Sequence, residues 1–98
     1  MLLIRDIMYC KPGKVRPMVE KARAMNKVGV KKGMPKMRVL TDLSAERFWT
    51  IVMEIETESV EAFMNMMNEG DMKEMEEIMK GYHDLIEHGR REIYTIEE

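Results

Sequence analysis

Hydrophobic and polar positions along this chain switch between two periods, and the order of the switches predicts an architecture. Leu2 to Tyr9 (LLIRDIMY) is dense in branched and aromatic residues and ends at Lys11-Pro12-Gly13, which reads as a strand running into a turn. Val15, Met18, Val19, Ala22, Met25 and Val28 then recur at three- and four-residue steps, with Lys14, Arg16, Lys21, Arg23 and Lys27 between them. That spacing predicts an amphipathic helix. Pro17 falls in its first turn, where a missing N–H does no harm, and Gly29 is the expected stop. Gly33 and Pro35 punctuate the loop that follows.

Lys36 to Thr41 (KMRVLT) reads as a second strand, Asp42 to Glu46 as a turn and Phe48 to Glu56 (FWTIVMEIE) as a third strand, the last two pairing as an antiparallel hairpin. On the third strand Trp49, Ile51, Met53 and Ile55 make one face wholly apolar, while Phe48, Thr50, Val52, Glu54 and Glu56 make the other mixed. Thr57 or Ser59 is placed to cap a helix that Gly70 ends. Asp71 with Glu74 resembles a capping box and predicts a restarted helix running to about Glu87, with a bend at Gly81. Arg90 to Ile96 (RREIYTI) supplies a fourth strand after Gly89. The sequence of elements, β-α-β-β-α-β, is that of a ferredoxin-like α+β fold: one domain over residues 1–98, an antiparallel sheet with both helices on one face.

Composition narrows the function classes. The net charge of −2 gives no general affinity for polyanions, although residues 1–40 hold 11 Lys/Arg against 2 Asp/Glu and residues 41–98 hold 5 against 16. We expect the two halves to neutralise each other within one fold rather than to recruit nucleic acid. No apolar run approaches the length of a membrane span or a signal-peptide core, and the single cysteine, Cys10, suits a reducing, cytoplasmic setting in which it is a small apolar residue rather than a catalytic thiol. A chain of 98 residues buries only about 60–65% of its unfolded surface. Self-association is therefore expected, and the uncovered mixed face of the third strand, with Phe48 and Val52, is where a second copy would sit.

Six of the 13 methionines fall between residues 64 and 79. On a helix from Asp71, Met72, Met75, Met79, Tyr82 and Ile86 share one side, with Ile78 and Leu85 at its margin. Methionine is unbranched, flexible and polarizable, so this stripe is adaptable core and, where a cleft exists, its deformable wall. His83 lies at the edge of the stripe and His88 nearly opposite. We therefore expect a cleft between sheet and helices lined by Trp49, Met53, Met75, Met79 and Tyr82, with His83 as the titratable, catalytic group able to move a proton near neutral pH. No segment carries a metal-ligand or cofactor motif, so neither is expected. Asp6, Arg38 and Glu54 are placed on mixed strand faces as paired interface charges.

With that order of elements in hand, KPGK at 11–14, GMPKMRVLTD at 33–42, FWTIVMEIE followed by TESVEAF, and GRREIY at 89–94 resemble the dimeric α+β barrel superfamily, in particular its NIPSNAP-like and antibiotic-biosynthesis-monooxygenase-like small proteins. The resemblance covers nearly the whole chain. It implies a homodimer in which two sheets face each other, often with a cleft between each sheet and its own helices, and its members include cofactor-free monooxygenases, haem-degrading enzymes and isomerases. Haem-degrading members use a histidine in the second helical region, which His83 matches, and an asparagine on the first strand, where this chain has Asp6. The same order serves RNA-recognition domains, but those stack bases on aromatic residues of the central strands, and only Phe48 is offered here. Two functions stay open: a homodimer that binds an apolar small molecule, as a cofactor-free monooxygenase or isomerase, and a non-catalytic dimeric interaction or regulatory domain whose cleft is packed. Cavity volume separates them.

Overall fold

A computed structural model describes residues 1–69 and 73–97. Its elements are β1 (Leu2–Cys10), α1 (Val15–Lys31), β2 (Arg38–Thr41), β3 (Thr50–Thr57), α2 (Val60–Glu69), α3 (Lys73–Met79), a 3-10 turn (Tyr82–Asp84) and β4 (Ile86–Thr95). The strands form one sheet in the order β2-β3-β1-β4, every neighbouring pair antiparallel. This is the ferredoxin-like α+β arrangement, with α1 crossing from β1 over β3 to β2. Gly70, Asp71 and Met72, which carry the expected helix stop, the capping-box start and the first methionine of the stripe, lie outside the described residues.

Register assigns every strand residue to a face, because directly paired residues point the same way. Ile4 pairs with Ile55 and Ile93, Asp6 with Met53 and Arg91, and Met8 with Ile51 and Gly89. These rows face the helices. Arg5 pairs with Glu54 and Glu92, Ile7 with Val52 and Arg90, and Tyr9 with Thr50 and His88, and these rows form the open face. The core lies between α1 and the first set, where Met18, Ala22 and Ile51 are fully buried and Cys10, Val19 and Met53 nearly so. Asp6 is thus corrected: it belongs to the helix-facing side, not to the mixed face it was expected to share with Arg38 and Glu54.

Helix ends follow from local chemistry. α1 passes through Gly29 and stops two residues later, at Lys31, in a Schellman motif: Gly33 takes φ 84, its N–H donates to the Val30 carbonyl at 3.1 Å, and Met34 N–H donates to the Gly29 carbonyl at 2.9 Å. Ser59 caps α2, its Oγ accepting from Ala62 N–H at 3.0 Å. The second helical region departs most from expectation. Instead of bending at Gly81 and running to Glu87, it ends at Met79, because Gly81 adopts φ 84 and turns the chain into the short 3-10 segment. β4 consequently starts at Ile86, four residues before the expected strand.

The hairpin also closes earlier than the apolar alternation implied. Asp42 N–H donates to the Thr50 carbonyl at 3.2 Å and Thr50 N–H donates to Asp42 Oδ1 at 2.8 Å, which makes residues 43–49 the loop. Phe48, expected on the strand, is exposed in that loop. Trp49 is its last residue, at φ 63, a left-handed conformation rare for a bulky side chain, while its carbonyl still accepts from Cys10 N–H at 2.8 Å. No helix among the described residues is long and apolar enough to cross a membrane.

Candidate functional site

A cavity of about 430 Å³ lies between the sheet and the helices. Its floor is the helix-facing sheet, where Ile4, Met53 and Ile55 stand in line, and α1 contributes Met25 and Gly29. Phe63 and Met67 of α2 and Met75 and Met79 of α3 form the far wall, with Met34 and Met37 closing one side. Three local contacts fix the elements around the cavity. Asn26 clamps the loop before β2 through a reciprocal pair of bonds, donating to the Met37 carbonyl at 3.0 Å and accepting from Met37 N–H at 2.8 Å. α1 and α3 touch at Gly29, where a Cβ would lie 3.3 Å from the Met75 methyl. Lys21 adds a tether by donating to the carbonyls of Ile78 at 2.9 Å and Lys80 at 2.7 Å, the end of α3.

One ion pair interrupts the apolar lining. Asp6 on β1 and Arg91 on β4 are register partners, and the guanidinium grips the carboxylate with both ends, Nε to Oδ1 at 2.6 Å and Nη2 to Oδ2 at 3.1 Å. The hydrogen bond to Asp6 holds the Arg91 pKa above its ordinary value; partial burial opposes the shift and the charge of Asp6 adds to it. The guanidinium carbon also lies 5.2 Å from the centre of the Phe63 ring, within cation–π range. Both side chains are partly exposed, so the pair sits where the cavity meets solvent. Glu76 of α3 lies on the same rim.

Three of the expected lining residues, Met53, Met75 and Met79, do border this cavity. Trp49, Tyr82 and His83 do not. Trp49 is 45% exposed on the hairpin loop, which the Asp42–Thr50 closure leaves outside the sheet. Tyr82 packs against the core cluster from the 3-10 turn. His83 is exposed on that turn with its ring 4.0 Å from the Tyr82 ring, because the helical wheel that placed it beside the methionines ends at Met79. Arg91 is the polar group the sequence did not single out, and Asp6, expected as a paired charge between subunits, stands at the cavity instead. Cys10 is buried, and burial first, then the negative charge of Asp42, pushes its thiol above the ordinary value, which disfavours a thiolate.

The open face carries charges of alternating sign across all four strands: Arg38, Glu54, Arg5 and Glu92. Glu54 is only 6% exposed and is gripped by Arg38 and by Arg5, whose Nε lies 2.8 Å away, while Arg5 Nη1 reaches Glu92 at 3.6 Å. Beside this row Arg47 lies over the Tyr9 ring at 4.3 Å, covering part of the face from the hairpin loop. The neutralisation expected between the basic and acidic halves runs through this row of the sheet, where Arg5 and Arg38 pair with Glu54 and Glu92, and not from helix to helix. No lysine or arginine of α1 pairs with a carboxylate among the described residues, since Arg16, Arg23, Lys27 and Lys31 point to solvent.

Comparison with known proteins shows the fold. An uncharacterized NIPSNAP domain protein from Burkholderia xenovorans superposes with a TM-score of 0.79 at 13% identity, over 98% of this chain and 94% of that one. A protein from Nitrosomonas europaea provisionally assigned as an antibiotic biosynthesis monooxygenase does so with a TM-score of 0.74 at 14% identity over the whole of both chains. A NIPSNAP family protein from Agrobacterium tumefaciens gives 0.77 at 11% identity, over 96% and 90%. No family model matches the chain, and no curated protein matches its sequence. The chain therefore has the fold of the NIPSNAP-like and antibiotic-biosynthesis-monooxygenase-like proteins it was expected to resemble.

Proposed function

We propose that this protein is a small-molecule-binding homodimer that takes an apolar ligand into the cavity between its sheet and helices. The observation that carries this reading is the cavity itself: about 430 Å³ of thioether- and aliphatic-lined space, within the roughly 300–1,000 Å³ typical of ligand pockets. A packed regulatory domain has no use for such a volume, which lines up against the non-catalytic alternative. Methionine walls suit the role, since flexible thioethers close around a ligand without a fixed shape. The enzymatic form of the reading is a cofactor-free monooxygenase or isomerase, supported by the fold shared with the Nitrosomonas protein. A second copy belongs on the open face, where no helix lies and where Leu40 and Tyr94 are 39% and 49% exposed. The single buried Cys10 supports a cytoplasmic setting.

Binding of Prodan, an uncharged polarity-sensitive dye, tests the cavity directly. The wild type should raise and blue-shift its emission, and Ile55→Trp, which plants an indole on the cavity floor, should abolish the signal while the protein stays folded. Equal dye binding by a folded Ile55→Trp variant would move the site elsewhere. Native mass spectrometry of gently purified protein should in addition show a retained organic molecule.

A further inference from the structure

The charges on the cavity wall go further and select among ligands. We propose that the cavity takes an uncharged molecule, an apolar frame bearing one hydroxyl or carbonyl, and rejects anions, because the cation facing it is already neutralised by Asp6. This inference rests on the cavity being a ligand site.

Among the described residues, the charged side chains that border the cavity are Asp6, Arg91 and Glu76, two negative against one positive. Arg91 gives Nε–H and one Nη2–H to Asp6, which leaves the second Nη2–H and both N–H groups of Nη1 to donate. Each Asp6 oxygen accepts from Arg91 and keeps capacity for a further donor. The wall thus offers donors and acceptors side by side with no surplus positive charge. A hydroxyl fits both, and a carbonyl fits the donors.

An ionised carboxylate fares worse. It must either share a guanidinium whose charge Asp6 already neutralises, accepting its free N–H groups beside a like charge, or leave its own charge among thioethers and aliphatic side chains, where an unpaired ion is strongly disfavoured. Of the two remaining polar residues of the lining, Asn26 already pairs with the Met37 backbone through its oxygen and one Nδ2–H, which leaves a single uncharged donor, and Glu76 is itself acidic. A cation has Glu76, but that carboxylate is exposed to water at the rim, where screening makes it a weak partner. The other carboxylate among the described lining residues is Asp6, which Arg91 occupies.

Three probes that share one ring frame test this at pH 7: 2-naphthol, 2-naphthoate and 2-naphthylmethylammonium, titrated by calorimetry into the full-length protein. We expect 2-naphthol to bind about tenfold or more tightly than either ion. Asp6→Asn, which releases Arg91, should invert the order so that 2-naphthoate becomes the tighter of the two, and adding Arg91→Gln should remove that gain. Binding of 2-naphthoate or the ammonium to the wild type as tightly as 2-naphthol would overturn the inference and leave the cavity reading standing. Failure of all three probes, together with unchanged Prodan emission, would overturn both. Should Asp6→Asn not fold, the order of the probes on the wild type decides alone; a folded Asp6→Asn with no gain in 2-naphthoate affinity would show that Arg91 is not what the pair holds in check.

Discussion

Asp6 and Arg91 are 85 residues apart and meet only because β1 and β4 pair in one register. Nothing local marks them. β1 is apolar on both faces, with Ile4, Met8 and Cys10 toward the helices and Leu3, Ile7 and Tyr9 away from them, so alternation could not say which way Asp6 points. Met53, by contrast, sits on a strand with one wholly apolar side, and its place was legible. Cys10 is a residue whose isolation has a measurable cost. Its raised thiol pKa keeps it protonated in the folded chain at pH values where the unfolded chain has lost the proton, so stability should fall as pH rises above the ordinary thiol value. The limiting slope is about 1.4 kcal/mol per pH unit, confined to the window between the ordinary and the raised value. Urea unfolding from pH 7 to 10, compared with Cys10→Ala, measures it, and a Cys10→Ala profile identical to the wild type's would exclude a contribution from this thiol. The two kinds of methionine separate at the same scale. Met18 is fully buried, so Met18→Ala should cost about 2–5 kcal/mol. Met79 borders a cavity that already exists, and Met79→Ala should cost less than Met18→Ala in the same denaturation experiment.

At the scale of elements the order and type of nearly every segment were readable, and the errors share one cause. Periodicity reports burial, not backbone conformation. Tyr82, Leu85 and Ile86 continued the helical spacing of Met75 and Met79 because all of them pack toward the same core, but they reach it from a turn and a strand. The Trp49-Ile51-Met53-Ile55 alternation likewise ran one residue past the point where Asp42 closes the hairpin. The glycines could have corrected this only with knowledge of φ. Gly29 is helical, Gly33 and Gly81 are left-handed, and sequence treats all three alike. The distinction predicts opposite mutational outcomes. Gly81→Ala meets no neighbour within 4 Å but forces a Cβ into φ 84, a backbone cost of about 1–2 kcal/mol. Gly29→Ala gains about 1 kcal/mol of helix propensity and asks only the flexible Met75 methyl, 3.3 Å away, to shift. It should be neutral to stabilising in thermal denaturation, and because that methyl moves within the cavity wall it should weaken Prodan binding. A Gly29→Ala variant less stable than Gly81→Ala would show that the α1–α3 contact cannot relax.

The whole molecule is a two-layer structure with helices on one side of its sheet and none on the other, and its association state turns on that bare side. Part of the open face is already sheltered within one chain: Ile7 and Tyr9 are 5% and 6% exposed, with Arg47 laid over the Tyr9 ring. What remains is Leu40 and Val52, the accessible part of an apolar row that ends at Ile7, next to the alternating row Arg38, Glu54, Arg5 and Glu92. Such a charge row is its own complement when turned end to end. A two-fold axis running along the strands sets Arg38 opposite the second copy's Glu92 and Glu54 opposite its Arg5, whereas an axis along the row would set like charges together. The sheet-to-sheet dimer should therefore adopt the first arrangement, with the apolar row supplying its area. Sedimentation equilibrium at micromolar concentration should return twice the 11.6 kDa chain mass. Val52→Arg places a cation in the centre of the apolar row, where a single chain can let it reach solvent but a face-to-face pair cannot. That variant should sediment as a folded monomer with the far-UV spectrum of the wild type, and it should still bind Prodan if the cavity is completed within one chain. A wild type that sediments at the mass of one chain would leave the open face as a solvated surface, and a Val52→Arg protein that stays dimeric would move the interface to another side of the molecule.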